Sequence, residues 1–119
     1  MVYTSASLSL AALELFVNLE PEELPEDLVA IGARLPDDLE IATLEGAQLP
    51  HGWQHAPAPA SLQAFGADWV SKGTSAVLGV PSAVIPTERN YLLNPAHRDF
   101  RRIEIGRPEA FRFDSRMRK

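Results

Sequence analysis

Ten prolines in 119 residues set the first limit on what this chain can fold into. Proline lacks a backbone donor and blocks a helix interior, so the chain is cut into short elements. A chain of this length holds one core, not two independent ones. Hydrophobic residues make up 45% and charged residues 23%, proportions that argue against wholesale disorder. No stretch approaches the ~18 apolar residues a membrane span needs. The N-terminus carries neither the charged region nor the apolar run of a secretory signal. Without cysteine, disulfides, thiolate metal sites and a cysteine nucleophile are all excluded. The expectation is a small cytoplasmic domain.

Between the prolines, local patterns suggest the elements. Val2–Thr4 reads as a strand placed at the very start. Ser5 or Ser7 can cap a helix reaching Asn18, with Leu8, Ala12, Leu15 and Leu19 on one face. Leu28–Arg34 and Leu39–Leu44 read as strands flanking the turn Pro36-Asp37-Asp38. Leu49–Ala60 is a loop, and Ser61 caps a second helix through Ser71 with Gly73 as its stop. Ser75–Val80 and Ala83–Ile85 are apolar strand runs broken at Pro81-Ser82. Asn90–Phe100 reads as irregular, and Ile103–Ile105 and Phe111–Phe113 as last strands. The expected class is α+β, with most strands in the second half.

Charge is unevenly spread. Residues 1–50 hold ten acids and one base, Arg34, for −9; residues 89–119 hold nine bases and four acids, for +5. The plain explanation is that the basic third folds back beside the acidic third. Direct nucleic-acid binding is disfavoured, because the whole is acidic (net −5) and lacks an aromatic–basic stacking motif.

Few residues suggest chemistry by themselves. Glu14 shares a helix flank with Leu10, Leu13 and Val17, and the opposite face is also apolar, which predicts a helix buried on most sides. A carboxylate there is paired, protonated or functional, unless it simply reaches solvent at the helix edge. Ser82, at a strand break, can point into a cleft, although a structural serine is the stronger reading of it alone. The glycines of a hydrolase elbow are absent. His51 and His55 have a metal-like spacing in a segment that reads as loop, with no third ligand evident. Trp53 and Trp69 read as anchors of core or loop. Asn90 and His97 read as residues that hold loops in place, and Asn94-Pro95 as a turn start.

Taken in order, these segments resemble the RES domain family, toxins of the Xre–RES toxin–antitoxin systems. The matching words are Val2-Tyr3-Thr4-Ser5, Ala12-Leu13-Glu14, Leu49-Pro50 with Trp53, and Gly66 with Trp69. Val80-Pro81-Ser82-Ala83-Val84, Asn90 to Pro95 with His97, and Phe113-Asp114 with Arg116 complete the set. Each word is weak, but the ordered set covers nearly the whole chain.

The resemblance implies an ADP-ribosyltransferase-like mixed sheet with flanking helices, and breakage of the nicotinamide–ribose bond of NAD. NAD is then a substrate, and no cofactor or metal is expected. Glu14 and Ser82 match two of the three residues that give the family its name, and Tyr3 matches a further active-site tyrosine. The implied site is Tyr3, Glu14 and Ser82 as catalytic and NAD-binding residues, with Asn94 also binding NAD. An Xre-family antitoxin and a homodimer are the implied partners. The family arginine lies in a Gly-Gly-Arg-Trp-like segment before the first strand, where this sequence starts. Residues 1–119 are therefore expected to form one RES-like domain lacking its usual N-terminal strand and arginine segment. The alternative is a catalytically inactive domain that retains only antitoxin binding, or no function.

Overall fold

The computed structural model describes residues 1–20, 22–54 and 60–117. Strand β1 (Val2–Ser5) leads into helix α1 (Leu8–Phe16), whose first turn is capped by Ser7, its Oγ accepting from Leu10 N–H at 3.1 Å. Three short strands follow: β2 (Leu28–Ala30), β3 (Ala33–Arg34) and β4 (Ile41–Thr43). Helix α2 (Ala60–Lys72) ends at Gly73, whose φ of +58° is the left-handed conformation that favours glycine. Then come β5 (Val77–Pro81), β6 (Arg89–Leu93), β7 (Glu104–Ile105) and β8 (Glu109–Phe111). The protein is α+β, as expected, with four of the described strands in each half of the chain.

The main sheet runs β1-β6-β5-β4. Strands β1, β6 and β5 pair antiparallel, whereas β4 and β5 are parallel, joined by the crossover that contains α2. Two ribbons, β2–β8 and β3–β7, stand apart from it. Both ribbons tie the acidic N-terminal third to the basic C-terminal third, and the ion pairs Arg102–Asp38 and Arg89–Glu45 do the same. The charge asymmetry is thus partly answered within the fold.

Each face of the sheet carries its own core. On one, Leu78, Val80 and Leu92 pack under Trp69 of α2. The Trp69 indole N–H donates to Ser75 Oγ at 3.3 Å, and that hydroxyl donates to Val77 O, so the buried ring leaves no donor unpaired. On the other face, Val77 and Leu93 pack with Leu39, Ala76 and Ile103. Alternation along β5 assigns these sets to opposite sides. Gly79 sits between Thr43 and Tyr91, where an added Cβ would lie 3.1 Å from the Tyr91 ring.

Several expectations are corrected. Residues 28–34 and 39–44 do not pair with each other; they divide into β2, β3 and β4, which find partners in β8, β7 and β5. Residues 83–85 form a turn because the Ser82 hydroxyl accepts the N–H groups of Val84 and Ile85. The segment that read as irregular contains β6, a central strand. Helix α1 is not buried on most sides: only Leu10 is buried, while Leu8, Leu15 and Val17 are exposed. Helix α2 begins one residue before the expected cap, Ser61, whose side chain lies outside the described residues. Among the described residues no helix is long and apolar enough to cross a membrane.

Candidate functional site

Register brings the site together. Tyr3 pairs with Leu92, and Asn90 pairs with both Ser5 and Val80. Cross-strand partners share a face, so Tyr3 and Asn90 lie on the same side as Leu92, Leu78 and Val80. The ladder extends one rung past β5, where Ser82 N–H donates to Glu88 O at 2.8 Å, which puts Ser82 on that same side. Glu14 reaches this end of the sheet from α1.

The Glu14 carboxylate is the centre of the cluster. Its Oε1 accepts from Ser82 Oγ at 2.6 Å and from Asn90 Nδ2 at 2.8 Å. Asn90 Nδ2 also donates to the Tyr3 hydroxyl oxygen. Bonds to an ionised acceptor are the strong kind, and two on one oxygen fix the carboxylate's orientation. Ser82 has no spare capacity: its oxygen accepts from Val84 and Ile85 N–H at 3.1 Å each, and its single hydrogen goes to Glu14. With no exposed surface, Ser82 meets Glu14 and the backbone.

Tyr3 is 58% exposed as a residue, yet its hydroxyl is held by Asn90 beside Glu14. Burial of that end and the adjacent Glu14 charge push the phenol up to about 12, so it stays protonated through the neutral range. The tyrosine is a neutral donor there and not a base.

Asn94 stands elsewhere. Its Nδ2 donates to Val70 O at 3.2 Å and its Oδ1 accepts from Ala96 N–H at 3.0 Å, so it ties the end of β6 to α2. At 1% exposure, with no bond to Tyr3, Glu14 or Ser82, it is not joined to the cluster. The residue that does join is Asn90, whose residue type and neighbours suggest a loop. A signal was present: Asn90 alternates with Leu92, the period of a strand with one buried face.

Among the described residues no three metal-ligating side chains gather, and His55 lies outside them. Trp53 rests against Gly46, whereas Trp69 packs in the core, and each is an anchor. A groove of about 740 Å³ lies beside Tyr3, walled by α1 through Leu8 and Leu15, by β2, and by Arg107 and Phe111. Glu14 and Ser82 do not line it, and Tyr3 belongs to both the groove and the carboxylate cluster.

A four-stranded mixed sheet with two helices, and a helix-borne glutamate fixed at one end, makes this an α+β protein whose ADP-ribosyltransferase-like character follows from its family. Residues 1–114 match the RES domain, and the chain belongs to that family. The Prs ADP-ribosylating toxin of Sphingobium sp. (strain YBL2) is 36% identical over 121 residues, covering 98% of this chain and 74% of that protein. Toxin Res of Yersinia enterocolitica is 33% identical over 118 residues, covering 98% and 77%. Toxin Res of Photorhabdus laumondii is 36% identical over 120 residues, covering 99% and 76%.

Proposed function

We propose that this chain is the toxin of a toxin–antitoxin pair and breaks the nicotinamide–ribose bond of NAD. The observation that carries the reading is the Glu14 carboxylate, fixed through one oxygen by Ser82 and Asn90. When the C–N bond breaks, its electron pair leaves with nicotinamide. That group is cationic in NAD and departs neutral, so no general acid is required. The ribosyl carbon becomes oxocarbenium-like, and an oriented carboxylate stabilises the growing positive charge. Water or phosphate then bonds to that carbon, and water releases its proton to solvent. Ser82 acts through Glu14. Tyr3, protonated and partly exposed, offers a ring face and a hydroxyl to the ribose or nicotinamide.

A second reading keeps the bond cleavage and changes the acceptor to a nucleophile on a macromolecule. The name of the Sphingobium relative, an ADP-ribosylating toxin, favours it. On the family resemblance, the antitoxin is of the Xre type and covers this site.

The test is to incubate the purified chain with NAD and follow nicotinamide by chromatography, beside Glu14→Gln. Nicotinamide release that falls by orders of magnitude in the variant is the expected result. Free ADP-ribose, its phosphate ester, or ADP-ribose attached to added lysate protein identifies the acceptor. Release unchanged in Glu14→Gln overturns the reading, as does NAD left intact by the parent.

A further inference from the structure

Asn90 is wholly buried, and its Oδ1 has no hydrogen-bond partner among the described residues. A buried acceptor without a donor lowers stability, and folded proteins leave few of them. The position itself is rigid, because Asn90 sits in β6 between β1 and β5 and is paired on both sides. The orientation of the amide follows from its neighbours. Turned over, Oδ1 would face Glu14 Oε1, acceptor against acceptor. As placed, both hydrogens of Nδ2 are used, one on Glu14 Oε1 and one on the Tyr3 hydroxyl oxygen. The carbonyl is therefore left unpaired by the same rotation that serves the carboxylate and the phenol. An apolar residue would fill this place without an orphaned acceptor, yet nothing apolar could hold both groups.

We infer that Asn90 is a positioning residue, which aligns the Glu14 carboxylate with the Tyr3 hydroxyl and contributes little to stability. The inference rests on the NAD-cleaving reading above. It separates Asn90 from Asn94, which is buried with both ends of its amide bonded. It also explains why partners can survive its removal: Glu14 is half-buried and Tyr3 exposed, so water can replace the lost donor.

The experiment uses the full chain with Asn90→Ala, Asn90→Asp and Glu14→Gln, reading NAD turnover and thermal midpoint together. For Asn90→Ala, kcat should fall on the order of 10²-fold, as for a misplaced reacting group, with KM within about threefold. The midpoint should stay within about 3 °C of the parent. Asn90→Asp keeps the shape but replaces the donor with a second carboxylate. The titratable groups facing it are Glu14 from α1 and Tyr3 from β1; the Arg89 guanidinium is turned to Glu45 and Leu44 O. Two like charges in contact then repel and Glu14 loses its donor, so kcat of Asn90→Asp should fall at least as far as that of Asn90→Ala.

Parental kcat in Asn90→Ala, with Glu14→Gln inactive, overturns the inference and leaves the NAD reading intact. A midpoint lowered by more than about 8 °C in Asn90→Ala makes the residue structural and also overturns it. Parental kcat in Asn90→Asp counts against it as well. A parent that leaves NAD intact removes the reading on which the inference rests, and both fall.

Discussion

Ser82 and Glu14 are 68 residues apart in the chain and 2.6 Å apart in space. Two separate local structures make that contact. One is the Ser7 cap, which starts α1 so that Glu14 falls on the flank facing the sheet. The other is the turn after β5, where the Ser82 oxygen accepts two N–H groups and leaves its hydrogen one direction to take. The hydroxyl therefore does two jobs, one for the backbone and one for the carboxylate.

Ser82→Ala separates from Asn90→Ala on that ground. Two half-buried backbone N–H groups lose their acceptor, so stability should drop by about 1–2 kcal/mol. Glu14 also loses its shortest described bond, and NAD turnover should fall on the order of 10²-fold. Urea unfolding and nicotinamide release on one preparation measure both. Unchanged stability would show that the turn does not depend on the hydroxyl.

Asn94→Ala tests the opposite case. Its amide joins the end of β6 to α2 through Val70 O and holds the following turn through Ala96 N–H. Removing it takes the partner from a half-buried carbonyl and from the N–H of an exposed turn residue, for a loss of about 1 kcal/mol in urea unfolding. A neutral result would mean that water satisfies those groups, and that the residue is free for another role.

The parts of the fold legible in the sequence are those decided locally. Ser7 as a helix cap, Gly73 as a helix stop and Val2–Thr4 as a strand follow from residue type and neighbours. Strand β6 was not legible because its residues serve the site. Asn90 and the adjoining Asn94 are turn formers by propensity, and only burial between β1 and β5 makes Asn90 a strand residue. The partners of β2 and β3 were hidden for another reason. They pair with strands some 70 residues or more further along, and nothing local in a two- or three-residue strand encodes that choice. Glu14 and Ser82 stand out in the sequence by their positions, whereas Tyr3, and a role for each of the three, come only through the family resemblance. Their juxtaposition is visible only in the structure.

Gly79 supplies a packing test. In the middle of β5, a Cβ would stand 3.1 Å from the Tyr91 ring and 3.2 Å from Thr43 Cγ2. Gly79→Ala should therefore lower stability by about 1–3 kcal/mol through overpacking, despite alanine's smaller backbone entropy loss. Adding Thr43→Ser removes the methyl that crowds one side and should recover part of the loss. Additive effects in urea unfolding would show that Thr43 is not the neighbour that must yield.

The Tyr3 phenol gives a prediction in alkaline solution, with a definite sign. In the unfolded chain it titrates near 10, whereas in the folded protein burial and the Glu14 charge push it up to about 12. Between those values the unfolded chain has lost the proton and the folded one retains it. Unfolding then releases a proton, so this contribution to stability is complete below about pH 10 and is lost as pH rises toward 12. Tyr3→Phe has no proton to lose. Its thermal midpoint should fall less steeply than the parent's across that window, and the two should run parallel at neutral pH. Phenolate absorbance offers a second readout: Tyr3→Phe should lack the titration at about 12. Since the ring is largely exposed, water and salt reduce the size of the effect, so its direction and its removal in Tyr3→Phe are what the measurement decides. Identical alkaline profiles for parent and variant would place the phenol outside the influence of Glu14, and would remove the neutral donor from the proposed site.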